Sequence, residues 1–236
     1  EAIETRPEAR RDFAEDALGR RGFSTESVEP LAVVRPADAV AVAATLGACS
    51  EAGIAVVPYG SGTGLMGGAR TTRRGIVLDT VRLKSIEVQP EDRFAWAGAG
   101  VILQDLDAAL HPHGLGFYHD PWTFPVATVG GTLSTNSLGY RGGRYGGMAD
   151  QAIGLEVALT DGTLLRTRAL PRHSAGPRYE RLFIGAEGTL GIITAAALRC
   201  YPLPERQELR SYEFESFAAG FHAIDAICAL GLRPSL

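Results

Sequence analysis

Residues 57–69 read Val57-Pro58-Tyr59-Gly60-Ser61-Gly62-Thr63-Gly64-Leu65-Met66-Gly67-Gly68-Ala69, directly after the apolar run Ile54 to Val57. That run has the character of a buried strand, so the loop is delivered at a strand end. Five of the nine residues from Gly60 to Gly68 are glycine. Glycine opens φ > 0 to the backbone and removes the Cβ that would stand in a ligand's way. Successive N–H groups in such a turn can converge on an anion. The simplest use is to hold a phosphate or a pyrophosphate, and the plain alternative is a glycine-rich surface turn.

The familiar phosphate loops do not fit. Gly62-Thr63-Gly64-Leu65-Met66-Gly67 matches G-x-G-x-x-G by letter. A dinucleotide fingerprint of the doubly wound kind must also open a helix and find an acidic residue ~20 positions on. Here Gly68, Thr71, Thr72 and Gly75 prolong the loop, and the next element is the strand-like Ile76-Val77-Leu78, closed by Asp79. A nucleotide-triphosphate loop needs Gly-Lys-Ser/Thr, and the chain's one lysine, Lys84, lies in no such setting.

Composition narrows the partners. The net charge of -4 gives no electrostatic case for nucleic acid or an anionic membrane surface. Length, 236 residues with 45% hydrophobic content, suits one large domain or one domain plus a fragment. Cys49, Cys200 and Cys228 are too dispersed for a zinc site or a disulfide framework; Cys49 and Cys228 fall in helical patterns and read as core residues. No apolar run reaches the ~18 residues of a membrane span. The default compartment is the cytoplasm, with peripheral attachment to a membrane left open.

Taken in order, Glu1 to Ser27 is polar and arginine-rich and reads as a helical arm or lead-in. Leu31 to Val34 is a short strand. Arg35-Pro36-Ala37-Asp38 starts a helix whose Val42, Leu46 and Cys49 share one face, with Gly53 past its end. Ile76 to Leu78 is a strand. Ile86 to Val88 and Arg93 to Ala97 form a hairpin about Gln89-Pro90-Glu91-Asp92. Leu103, Leu106 and Leu110 mark a helix that stops near Gly114. His111-Pro112-His113 at its end could bind a metal only with a third ligand, and none lies nearby in sequence.

A second run of small residues follows, from Asp120-Pro121-Trp122-Thr123-Phe124-Pro125-Val126-Ala127-Thr128-Val129-Gly130-Gly131 through Thr132, Ser134, Thr135, Asn136, Ser137, Gly139 and Tyr140. Its Ser, Thr and Asn side chains can donate to phosphate or accept from a heteroaromatic ring edge. Two such cradles in one chain point to one large, extended, phosphorylated ligand. Ile153, Leu155, Val157 and Leu159 then alternate with Gly154, Glu156, Ala158 and Thr160, as in a half-buried strand. Asp161-Gly162 is a hairpin turn with Thr163 to Thr167 returning. A third glycine turn, Gly185-Ala186-Glu187-Gly188-Thr189-Leu190-Gly191, runs into a strand from Ile192 that ends near Tyr201-Pro202. Glu208 to Phe214 reads as a strand, and Ser216 caps a helix striped by Phe217, Phe221, Ile224 and Cys228 and ended by Gly231 and Pro234. One strand and one helix do not make a domain, so 205–236 is expected to begin a second domain.

These runs occur in an order that resembles the FAD-binding domain of the vanillyl-alcohol-oxidase and p-cresol-methylhydroxylase type. The carrying residues are Val57 to Gly64, Thr128-Val129-Gly130-Gly131 with Thr135-Asn136, Arg144-Tyr145-Gly146, Gly154-Leu155-Glu156-Val157 with Asp161-Gly162, and Phe183 to Thr194. The nearest branch holds D-lactate and glycolate dehydrogenases and alkyldihydroxyacetonephosphate synthase. The resemblance implies a two-lobed α+β domain over residues 30–204, after an arm of residues 1–29 and before the start of a substrate (cap) domain at 205–236.

It further implies FAD lying extended between the lobes. Pro58, Tyr59, Gly60, Ser61, Gly62, Thr63 and Gly64 would wrap the pyrophosphate. Trp122, Thr123, Phe124, Pro125, Val126, Ala127 and Thr128, with Gly131, Ser134, Thr135, Asn136 and Ser137, would line the pyrophosphate and flavin side. Glu187, Gly188, Thr189, Leu190, Gly191, Ile192 and Ile193 would hold the adenosine and ribityl edge through the backbone. Some relatives attach FAD through a histidine in the first loop, where Thr63 stands here, and others through a cysteine in the second, where none lies between Phe117 and Gly131. The cofactor is therefore expected to be noncovalent.

The implied activity is oxidation of a small 2-hydroxy acid by hydride transfer to FAD. Electrons would pass to oxygen, a quinone, a cytochrome or another flavoprotein. The alternatives are a synthase-like FAD enzyme and a flavin-binding electron-transfer subunit of a larger complex. A homodimer is compatible with this reading. The resemblance places the family's catalytic histidines beyond the FAD core, so no catalytic base is assigned. His119, His173 and His222 read as surface or packing residues. Tyr140, Arg144 and Tyr145 are candidates for approach to the flavin face.

Overall fold

A computed structural model describes residues 2–19, 26–174 and 176–232. Glu1, residues 20–25 of the expected arm and the expected helix stop at Pro234 lie outside them.

The first lobe is a four-stranded sheet. Its elements are β1 (Ile3–Glu4), α1 (Pro7–Arg11), β2 (Ala32–Val34), α2 (Ala39–Glu51), β3 (Ala55–Tyr59) and β4 (Gly75–Asp79). The strand order is β1-β2-β4-β3, with β2 and β3 both parallel to β4 and β1 antiparallel to β2. β4 is buried along its whole length, as a strand flanked on both edges must be to read Gly-Ile-Val-Leu-Asp. α2 forms where the periodicity places it. The Asp38 side chain accepts from Ala41 N at 2.8 Å to cap it, Val42, Ala43, Leu46 and Cys49 are buried, and Gly53 follows at φ 64°.

The N-terminal segment is not a free helical arm. β1 extends the sheet edge, and α1 has only five residues. Glu4 is buried and accepts from Arg6 Nε at 2.9 Å and Arg6 Nη2 at 2.5 Å; those donors hold its carboxyl down at about 2.

The second lobe is an antiparallel sheet crossed by short helices. Its elements are β5 (Ile86–Gln89), β6 (Phe94–Gly98), α3 (Leu103–Leu110), β7 (Leu115–Gly116), α4 (Val129–Ser134), α5 (Gly142–Tyr145), α6 (Met148–Gln151), β8 (Ala152–Ala158), β9 (Leu164–Arg166), α7 (Glu180–Phe183) and β10 (Ile192–Arg199). The order is β5-β6-β10-β8-β9. β8 is not half-buried: six of its seven residues are buried and Glu156 is intermediate. Gly154 and Ala158, the small members of the alternation, lie under packed structure too, so both faces of the strand are covered.

Two cores hold the lobes. One gathers Leu103, Leu106 and Leu110 of α3 with Phe117, Leu133, Met148, Leu155 and Leu198. The other joins Val42, Ala43 and Leu46 of α2 to Leu78 of β4, Ala158 of β8 and Ile192 of β10, and so fastens one sheet to the other.

After β11 (Tyr201–Pro202), which pairs with β7, Glu208 to Phe214 is irregular and exposed rather than a strand. Among the described residues it meets no partner strand, so its exposed backbone groups are left to water and form no ladder. α8 (Phe217–Ala229) is capped by Ser216, which accepts from Ala219 N at 3.2 Å. Its stripe is exposed, and Cys228 with it, contrary to the expected core position. Among the described residues no helix is long and apolar enough to cross a membrane.

Candidate functional site

Three loops from distant parts of the chain meet along one cleft of about 350 Å³. The first leaves β3, the second precedes and follows α4, and the third enters β10. They interlock at places only glycine allows. A Cβ on Gly60 would lie 2.5 Å from Thr128 Oγ1, tying the first loop to the second. A Cβ on Gly188 would run into the Pro58 ring, and Gly188 also holds φ 82°, tying the third to the first. Glu187 adopts φ 49° without being glycine, a strained conformation of the sort that persists where surrounding structure enforces it.

Most of the expected site residues come together. Pro58, Tyr59, Gly60, Ser61, Gly62, Thr63 and Gly64 line the cleft from one lobe. Trp122, Thr123, Ala127, Thr128, Gly131, Ser134, Thr135 and Ser137 line it from the other. Glu187, Gly188, Ile192 and Ile193 close the third side.

Seven expected residues are not in that wall. The Phe124 ring packs on the main core, Pro125 sits in the same turn, and Val126 is half exposed away from the cleft. Asn136 turns its Oδ1 to Ala149 N at 3.1 Å and so fixes α6. Thr189 donates to Ala186 O at 2.7 Å, Leu190 faces out, and Gly191 belongs to the strand entry. Tyr140, Arg144 and Tyr145 also lie outside the wall: Tyr145 packs with Tyr118 and Tyr201 at ring separations of 4.9 and 4.8 Å, and Arg144 lies over Tyr145.

The wall's chemistry is neutral donors. Among its described lining residues no lysine or arginine occurs, and Glu187 is the one carboxylate. The N–H groups of Ser61, Gly62, Thr63 and Gly64 donate to no protein acceptor among the described residues. Such a cradle can meet a diphosphate through main-chain amides and hydroxyls. The aromatic and apolar rim, with Leu65, Met66, Trp122 and Leu138, is exposed and offers surface for a flat ring. An extended dinucleotide flavin fits this donor set.

Two supporting residues escaped the sequence reading. Asp16, in the supposed arm, is buried and accepts from Gly67 N at 2.6 Å and Leu18 N at 3.1 Å. Beside it Ala17 N donates to Gly62 O at 2.8 Å. The N-terminal segment thus braces the first loop, a role that a lone aspartate in a polar stretch does not announce. Thr80 lines the cleft and its N–H donates to Tyr59 O at 3.0 Å. Its signal was position: it follows the strand next to β3 in a parallel pair, and ligands gather at the carboxyl ends of parallel strands. Beneath, Arg35 Nε pairs with Asp79 at 3.0 Å, while burial still pushes the Asp79 carboxyl up. Burial, with Asp79, Asp16 and Asp12 nearby, pushes the Tyr59 phenol up as well, so it stays a donor.

The family described as FAD binding domain matches residues 30–168. The glycolate oxidase subunit GlcD of Bacillus subtilis is 35% identical over 95% of this chain and 49% of its own length. The D-lactate dehydrogenase of Archaeoglobus fulgidus is 40% identical over 75% of this chain and 40% of its own length. The chain therefore spans half or less of these relatives. A solved structure of alkyldihydroxyacetonephosphate synthase superposes on 100% of the chain and 44% of its own, with TM-score 0.86 at 24% identity. The two-lobed α+β fold expected from the sequence is the fold of that structure. The chain belongs to the FAD-binding-domain family, and its cofactor is FAD.

Proposed function

We propose that the cleft holds FAD extended and noncovalently, and that the chain is the flavin-binding part of an oxidoreductase that converts a small 2-hydroxy acid, of the D-lactate or glycolate kind, to the 2-oxo acid. The observation that carries this reading is the meeting of three glycine-rich runs around one cleft walled by uncharged donors. The activities named for the Bacillus and Archaeoglobus relatives favour the hydroxy-acid substrate class.

When bound, FAD supplies a two-electron acceptor that takes hydride from the carbon bearing the substrate hydroxyl. The protein's part is to hold and orient. Ser61 to Gly64 present amides to the diphosphate, with Asp16 keeping their loop in place. Thr128, Ser134 and Ser137 would present hydroxyls on the opposite wall, toward the diphosphate and the flavin, beside Thr135, whose own hydroxyl donates back to Gly131 O at 3.1 Å. Gly188, Ile192 and Ile193 close the third side against the ribityl and adenosine portions. In this reading residues 30–204 are the FAD-binding domain, 1–29 brace it, and 205–236 open a substrate domain.

The test uses the full-length protein. Purified protein should show flavin absorption, and acid or heat should release all of the flavin from the chain. Anaerobic D-lactate, glycolate or D-2-hydroxyglutarate should bleach the bands. A second reading, a synthase-like reaction with no net redox change, is favoured by the Dictyostelium discoideum alkyldihydroxyacetonephosphate synthase, 31% identical over 78% of this chain. Flavin bands that no hydroxy acid bleaches would favour that reading. Absence of any bound or bindable flavin would sink both.

A further inference from the structure

His119 lies behind the second loop, 1% exposed, with its ring 6.3 Å from that of Phe117. Its Nε2 is 2.6 Å from Ser137 Oγ. Its Nδ1 is buried and, among the described residues, meets no hydrogen-bond partner. Ser137 itself faces the cleft on a backbone fixed at both ends: its N–H donates to Thr132 O at 2.9 Å, and its carbonyl accepts from Met148 N at 3.1 Å.

Those facts decide where the ring proton sits. Burial keeps the imidazole neutral, pushing it down to about 4, and a neutral ring has one N–H and one lone pair. A proton on Nδ1 would leave an orphaned buried donor. A proton on Nε2 leaves only an unused lone pair, and proteins tolerate orphaned acceptors more readily than orphaned N–H groups. The Nε2–H therefore donates to Ser137 Oγ. With that side of the oxygen taken, the Ser137 O–H must donate elsewhere, and the cleft is what it faces.

We propose that His119 is a positioning residue: through its Nε2–H it fixes the Ser137 hydroxyl as a donor aimed into the cleft, at an acceptor oxygen or nitrogen of the bound cofactor. This rests on the reading above that the cleft holds FAD. His119 does not touch the cofactor; it sets the direction of the group that does.

The experiment is FAD titration of the flavin-stripped full-length protein, with the absorption spectrum of the bound flavin as a second readout. Loss of one such hydrogen bond should weaken FAD about tenfold in Ser137→Ala. His119→Phe, which keeps a ring in the pocket, should lose a similar factor and shift the flavin bands the same way. The double variant should bind no more weakly than Ser137→Ala alone. His119→Gln, whose amide N–H can reach the Nε2 position, should recover most of the affinity. Wild-type binding by His119→Phe beside a weakened Ser137→Ala would overturn the inference and leave the FAD reading standing. Losses that multiply in the double variant would also overturn it, since His119 would then act through packing. Unchanged binding by Ser137→Ala would remove Ser137 from the site and the inference with it. If His119→Phe does not fold, His119→Gln decides: near-native affinity supports the role, and a loss equal to that of Ser137→Ala overturns it.

Discussion

Thr128 Oγ1 occupies the space where a side chain on Gly60 would begin, at 2.5 Å from a Cβ built there. The same oxygen accepts from Gly131 N at 3.2 Å to cap α4, so it cannot swing aside without a second loss. Gly60→Ala should therefore push the first and second loops apart. We expect about 1–3 kcal/mol lower stability in urea, the usual cost of overpacking, and a larger proportional loss of FAD affinity by titration.

Thr128 gives the complementary test. Thr128→Val keeps the shape but removes the cap acceptor, and should cost about 1 kcal/mol. Thr128→Ser keeps the acceptor and should stay near wild type in thermal unfolding. Loss in Thr128→Ser with none in Thr128→Val would mean that the methyl, not the hydroxyl, matters here.

Asp16 should be the most sensitive residue of the N-terminal segment. Asp16→Ala strips acceptors from Gly67 N and Leu18 N, worth about 2 kcal/mol for charge-assisted bonds in a buried setting. FAD should bind more weakly because the first loop loses its brace. Asp12→Ala, at an exposed position nearby, should change stability by less than about 0.5 kcal/mol.

Acid should expose His119. Its folded value of about 4 lies below the ordinary 6.5, with burial as the cause. Its neighbour Asp120 is turned toward Arg141, at 3.0 Å. The unfolded chain therefore binds the extra proton between those values. The contribution is complete above the ordinary value and is lost as pH falls toward 4, by roughly 3 kcal/mol in all. Urea midpoints measured from pH 7 to pH 4 should fall more steeply for wild type than for His119→Phe.

What the sequence made legible follows from the range of the forces involved. The body of α2 was legible, because the Val42-Leu46-Cys49 face and Gly53 are local signals. Its start reads as Arg35 to Asp38 and not as Ala39, since an acid near a helix start does not say whether it caps the helix or lies in its first turn. The Asp161-Gly162 hairpin was legible because its signal is local too. β8 was misjudged because Gly154 and Ala158 look the same whether covered or open. Glu208 to Phe214 has strand-like residues, but a strand exists only with a partner. In the site, the glycine runs stood out, since close approach leaves a compositional mark. Whether Phe124 or Asn136 points inward is set by tertiary packing, and neither marks its own direction. Asp16 and His119 are single residues with no pattern around them, and only coordinates bring them to the loops they support.

The cleft's walls are shared between two sheets, so a molecule laid across it grips both. Occupancy then works as a clasp on the whole body, and apparent stability should rise with the logarithm of free flavin above its dissociation constant. On the proposed reading, chain made where flavin is scarce would stay looser and more open to proteases at the seam between the two sheets.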